Sequence, residues 1–145
     1  LPRCCRCLVS QRLSATMSIE LTLLVWSTVV FALYLGAQST LYRIQHGVKF
    51  ANTARDNEPP PNVLTARAVK ALRNFLETYA VFIALAVATE LSGRSDGLTQ
   101  WGAQIWFWAR IVYLPLYIAG VVNIRSLVWL VSAIGLALMF FGVVF

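Results

Sequence analysis

The sequence predicts an all-α integral membrane protein, a bundle of four transmembrane helices. Three observations predict it. Hydrophobic residues make up 59% of the chain and charged residues only 12%, which is more apolar surface than a soluble domain of this size can hide. The charges are spaced so that long runs lack them entirely. The stretches between these runs are polar, and the longest contains three consecutive prolines. The length, 145 residues, leaves room for one domain.

The first span lies between Glu20 and Arg43, where no residue is charged. Residues 21–42 are enough to cross about 30 Å of hydrocarbon as a helix, and the helix is expected over about 18–47. The segment "ARDNEPPPN", residues 54–62, then ends it, because its prolines cannot continue a helix. Asn62 reads as the N-cap of the next helix, with Thr65 three residues on. That second helix is unusual. After Glu77 only residues 78–89 are uncharged, too few to span alone, so the helix must begin near Val63 and include its charged turns, giving about 63–90. The turn-like "SGRSDG", residues 92–97, separates it from a third helix over about 98–122, whose single charge is Arg110. A tight connection at residues 120–123 leads to a fourth helix over about 125–144, inside the uncharged run 126–145.

Residues 1–16 read differently from the rest. They hold all three cysteines, Cys4, Cys5 and Cys7, and three of the twelve basic residues. Three thiols this close cannot easily share one tetrahedral ion, and no fourth ligand is near, so no metal is expected. The stretch is expected to be a disordered tail or a mis-assigned start, with Met17 opening the membrane domain of residues 17–145. Topology bears on the same point. Between Arg43 and Arg73 six basic residues face two acidic ones, and short Lys/Arg-rich loops stay cytoplasmic. Both termini are then expected outside the cytoplasm. A tail carrying Arg3, Arg6 and Arg12 opposes this orientation, whereas a chain beginning at Met17 does not. The lipid bilayer is the expected partner, and no nucleic acid is.

The charges of the second helix form a pattern. At about 100° per residue, Arg67, Lys70, Asn74 and Glu77 fall within an arc of about 80°, and Arg73 widens it to about 120°. On the third helix Arg110, Tyr113, Tyr117 and Trp106 share an arc of about 60°. A lone arginine at the middle of a span costs at least ~2.5–3.5 kcal/mol, so Arg110 needs a partner. Glu77, the only acid able to lie deep, is the expected one. Interhelical polar contacts of ~0.6–2 kcal/mol each would account for one such pair, but not for the surplus. Arg67, Lys70, Arg73, Arg110 and Arg125 are opposed by Glu77 alone. Lys70 and Arg67 can snorkel to the interface. Arg73, Arg110, Asn74 and the two tyrosines still form a donor-rich cavity suited to a small anion with several carboxylates. Pro115 frees the Ile111 carbonyl, and its bend is either tolerated or part of the pocket. A small multidrug exporter is disfavoured, because the first helix has no buried carboxylate between Glu20 and Arg43.

Three motifs in this order, "RAVKALRNFLE" from Arg67, "RIVYLPLY" from Arg110 and "IRSL" around Arg125, resemble the MAPEG family, membrane-associated proteins in eicosanoid and glutathione metabolism, in a short bacterial-type form. The resemblance covers the chain from about Met17 onward. It implies a homotrimer with glutathione bound between neighbouring subunits. It implies that Arg73, Asn74 and Glu77 contact the peptide, with Glu77 taking its amino group. Tyr113 and Tyr117 would line the site and Arg110 would support it. Lys70 stands where the family usually has Arg, which loses a bidentate grip. Arg43 is the candidate contributed by a neighbour's first helix. Arg125 would lie near the thiol, with Ser126 as the second thiol partner, and these two are the catalytic candidates. A cation there lowers a thiol pKa from its ordinary ~8.5, and the thiolate is the nucleophile. The implied activity is that of a glutathione transferase or peroxidase in the bacterial inner membrane. Its second substrate would be a hydrophobic electrophile or lipid hydroperoxide supplied by the bilayer. The alternative is a non-catalytic protein of the same fold that binds glutathione or lipid.

Overall fold

The computed structural model describes residues 17–145. The expectations placed on residues 1–16, including those for Cys4, Cys5 and Cys7, lie outside the described residues. The chain forms α1 (Ile19–His46), a one-turn α2 (Val48–Ala51), α3 (Val63–Ser92), α4 (Gly97–Ala119) and α5 (Val122–Val144).

Local chemistry sets these boundaries. The Ser18 hydroxyl accepts from the Leu21 amide at the start of α1. The Asn62 side chain accepts from the Thr65 amide over 2.8 Å and caps α3, while the prolines before it keep the loop extended. Asp96 and Thr99 cap each other reciprocally at the start of α4, satisfying two amides that a helix end leaves free. Gly93 and Gly120 adopt left-handed φ of 65° and 79° and end α3 and α4, a conformation that a side chain would strain. Because Gly120 reverses the chain so abruptly, α5 begins at Val122, three residues before the expected start. Arg125 therefore lies one turn inside α5 instead of opening it.

Three helices, α1, α3 and α5, are long and apolar enough to cross a membrane. The fourth long helix, α4, carries Gln100, Gln104 and Arg110 and is less apolar for a structural reason. It is the most enclosed, with Ala103, Trp106, Phe107, Arg110 and Tyr113 buried. On α5, by contrast, Leu127, Leu130, Ile134, Phe140 and Phe141 face outward, as lipid-facing residues do.

Two kinds of packing hold the bundle. Between α4 and α5 the backbones touch. A Cβ on Gly102 would come within 2.6 Å of the Gly135 carbonyl oxygen, and one on Gly135 within 2.7 Å of the Gly102 oxygen. Small residues permit such close approach in membrane bundles. Between α1, α3 and α4 aromatic rings fill the space. Phe82 stacks on Trp106 at 3.9 Å, and Tyr34 meets Phe75 at 4.6 Å between centroids. At the α3–α4 loop end, the fully buried Glu20 carboxylate accepts from the hydroxyls of Thr99 and Ser95.

Candidate functional site

The expected stripe on α3 is divided by the structure. The face of α3 that meets the core is marked by Ala68, Ala71, Phe75, Phe82 and Ala86. The edge of the stripe nearest this face turns inward, and the far edge turns out. Asn74 and Arg67 are half-buried, whereas Lys70, Arg73 and Glu77 are exposed.

The inward edge makes the contacts. Arg110, 1% exposed, donates from Nη1 to Asn74 Oδ1 over 2.9 Å. This corrects the expected pairing with Glu77. Glu77 instead accepts from Arg73 Nε over 3.3 Å, one turn away on the same helix, with the two side chains 59% and 82% exposed. The reason is azimuthal: Glu77 lies on the outer edge of the arc, and Asn74 on the inner. A pair that exposed adds little stability. Arg110 Nε and Nη2 are buried and have no hydrogen-bond partner among the described residues. Arg67 does not snorkel freely either. Its Nη1 donates to the Ile118 carbonyl over 3.1 Å at the end of α4, and its guanidinium occupies the space a Cβ on Gly120 would need.

From Arg110 a ladder of cations and rings leads to α5. The Arg110 guanidinium lies 5.2 Å from the Tyr113 ring, Tyr113 lies 5.5 Å from Tyr117, and the Arg125 guanidinium sits 4.5 Å over Tyr117. Cation–ring contacts of this kind hold guanidinium groups without an anion. Beside the ladder is an open recess of about 160 Å³ lined by Asn74, Tyr113, Arg125, Ser126 and Trp129. Ser126 donates its proton to the Val122 carbonyl over 3.1 Å, which leaves its oxygen as an acceptor.

Of the residues expected in the site, Asn74, Tyr113, Arg125 and Ser126 line this recess, and Arg110 and Tyr117 touch its wall. Lys70, Arg73 and Glu77 lie on the outer face of α3. Arg43 lies elsewhere, in a recess with Gln38, Ser39, Tyr42 and Arg55. Two contributors were not foreseen. Trp129 forms part of the wall; its spacing from Arg125, one helical turn, was the available signal. The buried Tyr34 donates to the Arg110 carbonyl over 2.7 Å and ties α1 to α4 beside the site. Nothing in its uncharged run distinguishes it from a packing residue.

The recess offers hydrogen-bond donors and uncompensated positive charge in an apolar bundle. That chemistry is suited to an anion. A MAPEG family model matches residues 19–145. The chain belongs to the MAPEG family. No curated protein and no solved structure matches it. The family includes glutathione-dependent transferases and peroxidases as well as non-catalytic members, and its members generally use glutathione. This MAPEG chain is therefore a membrane protein whose half-buried polar cluster lies at the junction of α3, α4 and α5.

Proposed function

We propose that the protein is a glutathione-dependent membrane transferase or peroxidase acting on hydrophobic electrophiles or lipid hydroperoxides. The observation that carries this reading is Arg110: a buried cation whose Nε and Nη2 have no partner among the described residues, behind the wall of a recess lined by Arg125. A buried charge without a counter-ion is costly. A carboxylate-bearing ligand supplies what is missing, and glutathione carries two carboxylates and a thiol.

In this reading all four long helices span the bilayer, both termini lie outside the cytoplasm of a bacterial inner membrane, and three copies assemble. The recess is shallow and takes only part of a tripeptide. The rest would lie along the outer edge of α3, where Lys70, Arg73 and Glu77 stand exposed, with a second subunit covering it. Glu77 would take the peptide's amino group. Asn74 and Tyr113 would orient the peptide over the recess. Arg125 would face the thiol and favour its thiolate, and the Ser126 oxygen would lie beside it. The thiolate then attacks an apolar electrophile arriving from the lipid side, where Trp129 forms the wall.

Isothermal titration of the detergent-solubilised protein with glutathione tests this. Wild type is expected to bind and Glu77→Gln to bind more weakly. Absence of binding in wild type overturns the reading.

A further inference from the structure

A second recess lies away from the α3–α4–α5 junction and holds Arg43, the residue that the resemblance assigns to a neighbour's glutathione site. It holds about 120 Å³ and is lined by Gln38, Ser39, Tyr42 and Arg43 from the last turns of α1, Ala51 and Asn52 at the end of α2, and Arg55 from the following loop. Every lining residue except Ala51 has a polar or charged side chain. Arg55 is fixed there. Its Nε and Nη2 both donate to the Ala51 carbonyl, over 3.3 and 3.2 Å, and its guanidinium lies 4.6 Å over the Tyr42 ring. Its backbone has φ of 62°, a region uncommon for a residue with a side chain and retained where the surroundings enforce it. The Arg43 side chain makes no ion pair or hydrogen bond among the described residues. The Tyr42 hydroxyl is buried without a well-formed hydrogen bond, although Glu58 approaches it from the loop.

The recess lies at the end of a helix long and apolar enough to span a membrane, where such a helix meets the headgroup region. It sits where α1 ends at His46, beside the exposed, apolar Ile44 and Val48. We propose that this recess binds a phosphate group, that of an anionic lipid headgroup or a free phosphate. Two guanidinium groups against the one carboxylate of Glu58 leave a single positive charge, which matches one phosphodiester. The Arg43 guanidinium can pair bidentately with a phosphate, Arg55 adds its charge and Nη1 while its Nε and Nη2 stay on the Ala51 carbonyl, and the amide and hydroxyl groups of Gln38, Ser39 and Asn52 supply further donors. Lys49 and Asp56 lie outside the lining.

Binding of phosphatidylglycerol and of inorganic phosphate to the full, detergent-solubilised protein tests this, with Arg43→Gln/Arg55→Gln compared against Lys49→Gln. The latter removes one charge from outside the recess, the same number that Arg43→Gln alone removes from inside it. The double variant is expected to bind phosphatidylglycerol at least about tenfold more weakly, the loss of one charge-assisted pairing or more, while Lys49→Gln binds as wild type does. Competition by inorganic phosphate identifies free phosphate as the ligand; its failure to compete identifies the lipid. Equal weakening by Lys49→Gln overturns the proposal, since it reports only a basic surface. So does wild type binding neither probe. If the double variant fails to fold, Arg43→Gln alone decides, because Arg43 has no contact of its own to lose; unchanged affinity in it counts against the site. Glutathione titrations of Arg55→Gln are expected to match wild type. A loss there assigns the recess to the glutathione site and likewise overturns the proposal.

Discussion

The Arg110 guanidinium donates to the Asn74 side-chain oxygen over 2.9 Å, and among the described residues this is its one side-chain acceptor. A buried cation is thus held by a neutral amide. The bond joins α4 to α3 and leaves the positive charge without a carboxylate partner among the described residues.

Changing Asn74 separates these two roles. Asn74→Ala removes a hydrogen bond to a charged group, at about 1.5–3 kcal/mol, and should lower the melting temperature in detergent. Asn74→Asp supplies the missing anion. It should raise the melting temperature and weaken glutathione binding by about tenfold or more, because the charge of Arg110 is already neutralised; ~1.4 kcal/mol suffices for that change. An Asp variant that binds glutathione as well as wild type would show that Arg110 does not attract the ligand.

Arg125 is predicted to act on the thiol. Arg125→Ala should lower kcat by about 10²–10³-fold, the usual cost of removing one such electrostatic donor, with a much smaller effect on KM for glutathione. The sign of the pH effect follows from the charge. A cation lowers the thiol pKa, so its removal raises that pKa, and the rising limb of the activity–pH profile moves to higher pH. Arg125→Lys should restore part of the shift. A profile that stays in place in Arg125→Ala would remove Arg125 from the chemistry.

The α4–α5 joint gives a stability test. Gly120→Ala places a side chain at φ of 79°, where the Arg67 guanidinium already lies within 2.5 Å of the added atom. Left-handed backbone alone costs roughly 1–2 kcal/mol for a residue with a Cβ, so the variant should melt earlier. Arg67→Ala clears the obstacle. The double variant should therefore lose less than the sum of the two single losses, the coupling expected of residues in contact. Strict additivity would count against the contact.

Glu20 accepts from Thr99 and Ser95 in a fully buried position. Glu20→Leu removes the charged acceptor of both hydroxyls, although Thr99 keeps its bond to the Asp96 carbonyl, and should cost about 1.5–3 kcal/mol, the usual worth of hydrogen bonds to a charged group, seen as an earlier thermal transition. Glu20→Gln keeps a carbonyl acceptor and should stay close to wild type. Indistinguishable melting of the Leu variant would remove the tether.

Much of the bundle was legible because charge spacing and proline placement act locally. The cap at Asn62 and the loop before it follow from the chemistry of a few adjacent residues. The polar arcs of α3 and α4 were legible too, since they depend only on helical periodicity. Which side of an arc faces a neighbour depends on the packing of Ala68, Ala71 and Phe75, information that periodicity along one helix does not contain. For that reason Asn74, not Glu77, meets Arg110. Glu20 was hidden for a similar reason. A carboxylate in a first helical turn reads as a solvated group favouring the helix dipole, and only the fold of the loop at Ser95 encloses it.

The mutual contact of Gly102 and Gly135 carries a mechanical consequence. With their backbones in touch, α4 and α5 behave as a single stiff hairpin, so Arg110, Tyr113, Tyr117, Arg125 and Ser126 all ride on one body. Asn74 is the one wall of the recess carried by a different body. Any tightening around a ligand must therefore appear as travel of α3 along the hairpin, with the Arg110–Asn74 bond as its gauge, while the spacing of the two arginines stays constant.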